Sequence, residues 1–230
     1  MHRTTPAEGK PAMPHPTGRQ PLHLWSLSED VIVRTTEDEV FLTGRFGSER
    51  LADPDPVVRE ALRRMELGPV LPGNIEGRPG EADGSVYLVL LSTLSRLSHL
   101  TVRTLALDDL RGPLLSVSPE SRQATFSPDE LSAADELRLP RDVRLTLESE
   151  GVALESSAAL HRVVLHRPEA AWVVAMLAWP VTPDAASEAL PMHPDVTDGI
   201  LRYLAAAGMA EPVGNHRHNR IPRMRRPDRI

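Results

Sequence analysis

A change of hydrophobic period near residue 167 constrains this chain more than any other feature of its sequence. Before it lie three runs with strand character: Asp142-Val143-Arg144-Leu145-Thr146-Leu147, Gly151-Val152-Ala153-Leu154-Glu155 and His161-Arg162-Val163-Val164-Leu165-His166. After it the apolar residues recur at helical spacing. Pro168 opens a segment through Trp172, Val173, Met176, Leu177 and Trp179, Thr182-Pro183-Asp184 opens a second helix, and Pro194-Asp195 leads into a third. In the third, Val196, Ile200, Tyr203, Leu204 and Ala207 form one stripe, and Gly208 supplies the stop. Three short strands followed by three helices make a complete small α+β unit, and the remaining sequence is read against it.

Composition narrows the function classes. The 230 residues leave room for one large or two small domains, each able to bury a core. With no cysteine, disulfides and thiolate metal sites are excluded. The net charge is −6, yet residues 216–230 carry Arg217, Arg220, Arg223, Arg225, Arg226 and Arg229 against Asp228 alone, so an acidic body precedes a basic tail. Aromatic residues make up 3%, which argues against a base-stacking surface for single strands. Residues 1–20 lack the apolar centre of a signal peptide, and the longest apolar run, Ala170 to Val181, is too short to span a bilayer. A cytoplasmic protein without membrane contact is the expectation. Neither a G-x-G-x-x-G nor a P-loop pattern is present, so no nucleotide cradle is expected.

The upstream sequence divides in the same terms. Residues 1–20, broken by Pro6, Pro11, Pro14 and Pro16, read as a disordered leader. A first domain is expected over residues 21–106. It has strands at Asp30–Arg34, Glu39–Thr43 and Ser48–Leu51, then a helix capped by Asp53-Pro54-Asp55-Pro56 and running through Val58, Ala61, Leu62 and Met65. A glycine-rich loop, Pro72 to Gly84, separates it from a second helix over Ser85–His99, and Thr101–Leu105 is β-prone. Residues 107–139 read as a connector whose apolar stretch, Leu114 to Val117, lies along one of the domains. Residues 140–213 form the second domain and 214–230 the basic tail.

The two domains match internally. Asp142-Val143 falls on Asp30-Val31, and Gly151-Val152-Ala153-Leu154 on Glu39-Val40-Phe41-Leu42; with small shifts Met176 falls on Met65, Pro180-Val181 on Pro69-Val70, and Leu201-Arg202-Tyr203-Leu204 on Leu94-Ser95-Arg96-Leu97. A period of about 110 residues is too long for a solenoid and reads as a duplicated domain. These pieces, with Leu24–Gly47, Leu97–Val117 and Pro140–Glu211 carrying most of the likeness, resemble tandem PqqD-like winged-helix domains, the recognition elements of ribosomally synthesised and modified peptides. A tandem pair in this order is similar to the N-terminal half of SagB-type azoline dehydrogenases. The resemblance implies an α+β fold of two winged-helix-like domains, each of about three strands and two or three helices. In that family an FMN-binding nitroreductase-like domain follows. No such sequence follows here, so the resemblance implies no cofactor in this chain and FMN in a partner dehydrogenase subunit or in a missing domain. A precursor peptide is the other implied partner, and a homodimer is left open.

No catalytic residue is assigned. His216-x-His218 reads as part of a solvated tail, and the carboxylates between Asp129 and Glu155 show no convergence from spacing alone. His161 and His166 flank the third strand of the second domain and read as surface histidines, with peptide contact as the other reading. The mechanism expected is strand addition, in which an extended peptide pairs with the open edge of that strand beside the third helix. Arg162, Val164 and Leu165 on the strand, and Asp195, Asp198, Leu201 and Arg202 on the helix, are the expected peptide-binding residues. The alternative is a winged-helix nucleic-acid-binding regulator. A third helix carrying Asp195 and Asp198 with Arg202 alone is a poor phosphate face, so nucleic acid is the less favoured partner.

Overall fold

The computed structural model describes residues 20–75 and 83–213. Residues 1–19, 76–82 and 214–230, on which the expected leader, the centre of the glycine-rich loop and the basic tail fall, lie outside the described residues. The first half runs β1 (Pro21–Leu27), β2 (Ile32–Thr35), β3 (Glu39–Gly44), β4 (Gly47–Ala52), α1 (Pro56–Leu67), α2 (Asp83–Arg96), β5 (Thr101–Leu107) and β6 (Pro113–Pro119). The second half runs β7 (Leu137–Arg138), β8 (Arg144–Glu148), β9 (Gly151–Glu155), β10 (His161–Leu165), α3 (Pro168–Met176), α4 (Pro183–Ala189), α5 (Pro194–Ala206) and β11 (Glu211–Pro212). The fold is α+β.

Local chemistry sets the element ends. The β2–β3 turn closes where the Thr36 N–H donates to the Glu39 carbonyl at 2.8 Å and the Glu39 N–H to Thr36 Oγ1 at 3.1 Å. The α1 helix starts with Pro56 in its first turn and the Asp55 carboxylate accepting from the Val57 N–H at 2.8 Å. Thr182 caps α4 in the same way through the Ala185 N–H. The stripe expected along α5 is all buried: Val196, Ile200, Tyr203, Leu204 and Ala207.

The strands form three sheets, with orders β1-β5-β6-β10-β9-β8, β2-β3-β4 and β7-β11. All pairs are antiparallel. β6 is the seam. It pairs with β5 on one side, and on the other with β10 from His161 opposite Pro119 to Leu165 opposite Leu115. Residues 113–119, expected within a connector, are therefore a central strand. One core extends across the seam, from Leu105, Leu115 and Val117 to Val163, Leu165, Val173, Ile200 and Leu204. A second core lies in the first half between α1, α2 and the β2–β3–β4 sheet, around Val40, Leu42, Leu62, Met65, Leu90 and Leu94.

The element order recurs. In each half a first strand is followed by a three-stranded meander and a helix, after which the chain returns to bridge the first strand. Trp25 and Val70 exchange backbone hydrogen bonds at 2.9 and 2.8 Å, and Leu137 and Val181 do so at 2.8 and 3.0 Å. A further helical stretch follows, and then a strand that pairs with the first: β5 with β1, and β11 with β7. Val70 and Val181 are the residues that the internal sequence match superimposes. No helix among the described residues is long and apolar enough to cross a membrane.

Candidate functional site

The groove expected between β10 and α5 is closed. Its strand edge carries β6, whose backbone satisfies the N–H and C=O groups that a peptide would have met, and the α5 helix packs across β1, β5 and β6. Val164, Leu165 and Leu201 are buried in the core. Arg162 is held by Glu148 and, through Nε at 3.0 Å, by Glu155. Arg202 donates to the carbonyls of Asp129 at 3.1 Å and Pro128 at 3.3 Å and pairs with Asp198 at 3.4 Å, which ties α5 to the segment before β7. Asp195 is exposed beside His193. The structure thus engages Arg162 and Arg202 with different partners and turns six of the seven expected contacts inward or into ion pairs. The physical reason is that β6, an apolar strand of this same chain, already supplies the addition.

The two flanking histidines are also committed. His166 Nδ1 lies 3.2 Å from the Glu150 carbonyl and must donate to it, so Nε2, 2.9 Å from Ser116 Oγ, accepts from that hydroxyl. His161 is buried edge-on to Phe126, with ring centroids 5.7 Å apart, and its Nε2 has no hydrogen-bond partner. Burial alone pushes its pKa down to about 4. Phe126 also meets the Tyr203 ring edge-on at 5.0 Å, and burial pushes the Tyr203 phenol up to about 12.

A neutral buried histidine makes stability depend on pH with a defined sign. Between its ordinary value of 6.5 and about 4 the unfolded chain binds the extra proton, so stability is full above pH 6.5 and falls as pH drops towards 4. The expected loss from this group is about 2 kcal/mol. Urea unfolding from pH 7 to 4 should show it, and His161→Leu should flatten that part of the profile; an unchanged slope would place the acid sensitivity elsewhere.

An open strand edge does border a cleft, in the first half. It lies between β2 and α1 and encloses about 420 Å³. Val33, Val40 and Leu62 form its apolar floor, and Thr35, Arg59, Glu60, Arg63 and Glu66 its rim. Hydrogen-bonded and non-hydrogen-bonded pairs alternate along an antiparallel ladder. Counting from the bonded Thr36–Glu39 pair, the N–H and C=O groups of Val33 and Thr35 point away from β3. Among the described residues no strand meets them.

The rim is ordered by charge. Glu60 accepts from Arg63 Nε at 2.8 Å and Arg64 Nε at 2.6 Å, and these two guanidinium groups hold its carboxyl down at about 2. Arg59 donates to the carbonyls of Thr36 at 3.0 Å and Glu37 at 2.9 Å, which fixes the β2–β3 turn to α1. The cleft therefore offers unpaired backbone groups, an apolar floor and a rim of both signs. Sequence reading missed it because the outer side of β2 is defined only once the strand order is known. The one local signal was the exposed apolar Ile32 beside Val33.

Among the described residues no group of three or more His, Asp or Glu side chains converges as a metal site. No family model matches the chain, and no curated protein matches it in sequence.

Proposed function

We propose that this chain is a peptide-recognition subunit that binds the leader segment of a ribosomally made precursor peptide as an added strand. It presents that peptide to a flavin-dependent azoline dehydrogenase. The observation that carries the reading is the unpaired edge of β2 beside the cleft, where Val33 and Thr35 offer backbone donors and acceptors next to an apolar floor. Backbone pairing supplies affinity with little sequence preference, and Arg63 and Glu66 on the rim select the side chains.

Two features support it. The recurrent element order fits a duplicated winged-helix-like unit, and β6 laid along β10 is strand addition performed within the chain. The α5 helix does not favour the nucleic-acid reading: it presents Asp195 and Asp198 outward, and its Arg202 is engaged with Pro128 and Asp129.

Fluorescence polarisation with labelled leader peptides tests the proposal. Thr35→Pro removes an N–H that the β2–β3 ladder does not use, so the fold is retained. Its expected effect is a loss of affinity of about tenfold. Saturable peptide binding that is indifferent to Thr35→Pro would move the site off this edge.

A further inference from the structure

The last strand of the six-stranded sheet, β8, has no neighbour on its outer side among the described residues. Its five residues, Arg144-Leu145-Thr146-Leu147-Glu148, are all exposed, with Leu145 at 55% and Leu147 at 85%. Exposure of this kind is unusual for their position. Leu145 pairs with Leu154, which is fully buried, and Leu147 with Val152, so both leucines stand on the core face of the sheet. The apolar face of the sheet thus runs past the edge of the core and ends in solvent.

Backbone parity reinforces the point. The two-residue turn Ser149-Glu150 closes the hairpin on the Glu148–Gly151 pair, so bonded pairs recur at Thr146–Ala153 and Arg144–Glu155. The N–H and C=O groups of Leu145 and Leu147 therefore point outward. Their side chains and their backbone groups lack a partner at the same place.

The sequence of β8 says what fits there. Read about Thr146 it is self-complementary, with a leucine on either side, then arginine at one end and glutamate at the other. We propose that two copies of this chain pair their β8 strands antiparallel about a two-fold axis through Thr146. The dimer then has one continuous sheet. Leu145 bonds with Leu147 of the second copy through the outward backbone groups, and the four leucines cover one another. Arg144 falls opposite Glu148 of the second copy in a non-hydrogen-bonded pair, the type that brings side chains closest. Arg144 makes no ion pair among the described residues and is available for this one, whereas Glu148 already shares Arg162. Moving the axis to Leu145 would set Glu148 against Asp142 of the second copy, so charge disfavours that register.

A strand-edge interface is small, so the dimer is reversible, with dissociation expected at about 1–100 μM. Sedimentation velocity on the full chain should show a mass rising from 25.3 kDa towards twice that value across this range. Arg144→Glu and Glu148→Arg each place like charges opposite one another and should weaken association about tenfold or more. Mixed in equal amounts, these two variants face opposite charges throughout and should recover wild-type association. Leu145→Pro removes an outward N–H that the β8–β9 ladder does not use, and should give a monomer with an unchanged circular dichroism spectrum.

A wild-type chain that stays monomeric to about 200 μM would overturn the proposal. So would a dimer indifferent to both charge reversals, or variants that fail to associate when mixed. Amides of β8 that gain protection from hydrogen exchange only on adding a leader peptide would assign the edge to peptide instead.

Discussion

Arg167→Ala is expected to lower the free energy of unfolding by about 3 kcal/mol, because it strips a buried carboxylate of its guanidinium. The Arg167 side chain is 5% exposed and that of Asp109 is 2% exposed. Nη1 donates to both Asp109 carboxylate oxygens at 3.1 and 3.0 Å, and Nε donates to Glu169 at 3.3 Å. The guanidinium beside Glu169 holds that carboxyl below its ordinary range. Arg167 precedes α3, whereas Asp109 lies in the turn between β5 and β6, so the pair fastens the second half of the chain to the seam strand. The Leu114 carbonyl accepts from the N–H groups of His166 and Arg167 at the same point.

Without the arginine, Asp109 must ionise in a dry site or take up a proton, and either outcome costs stability. Urea unfolding at neutral pH measures the loss. Because a buried pair is little screened, the loss should persist in high salt. A loss below about 1 kcal/mol that vanishes in salt would mean that water reaches the pair. The sign with pH follows from Glu169: its lowered pKa adds stability above its ordinary range, and that stability is lost as pH falls through the folded value.

Much of the second half was legible in the sequence, because its signals are local. Pro168, Thr182-Pro183 and Pro194 mark helix starts through capping chemistry that depends on the adjacent residues alone. The α5 stripe specifies a buried face whatever lies beneath it. What lies beneath it was not legible. The α5 helix covers strands from the first half, and nothing in the spacing of Val196, Ile200 and Leu204 distinguishes β6 from a bound peptide as the surface they meet.

The misread connector shows the same limit. Residues 113–119 begin and end in proline and hold two serines, a composition that reads as linker. As a central strand the segment is possible because Pro113 and Pro119 sit at its ends, where a missing N–H interrupts the ladder least. The internal match fared better: it superimposed Val70 on Val181, and both return to bridge a first strand. The candidate site failed for a topological reason. Strand addition is expected at β10 from its place in the unit, but an edge is a property of the whole sheet, and among the described residues β10 is an inner strand while β2 and β8 are outer ones.

The internal match also pairs Glu39 with Gly151, a difference that local pattern does not explain and close approach does. Gly151 has φ +147°, and a Cβ built there would lie 2.0 Å from the Leu165 carbonyl oxygen and 2.9 Å from its carbon. Both are backbone atoms of β10, and β10 is pinned by β6 on one side and β9 on the other. No side chain can rotate to relieve the contact. Gly151→Ala must therefore break the end of the β9–β10 ladder or force a strained φ, at an expected cost of about 3 kcal/mol. Gly73 is the control: nothing lies within 4 Å of its would-be Cβ, and Gly73→Ala should leave the unfolding midpoint nearly unchanged. A Gly151→Ala chain as stable as the wild type would show that the hairpin can shift outward without loss. Because Gly151 closes the turn that presents β8, the substitution should also weaken self-association by displacing the strand on which the two copies would pair.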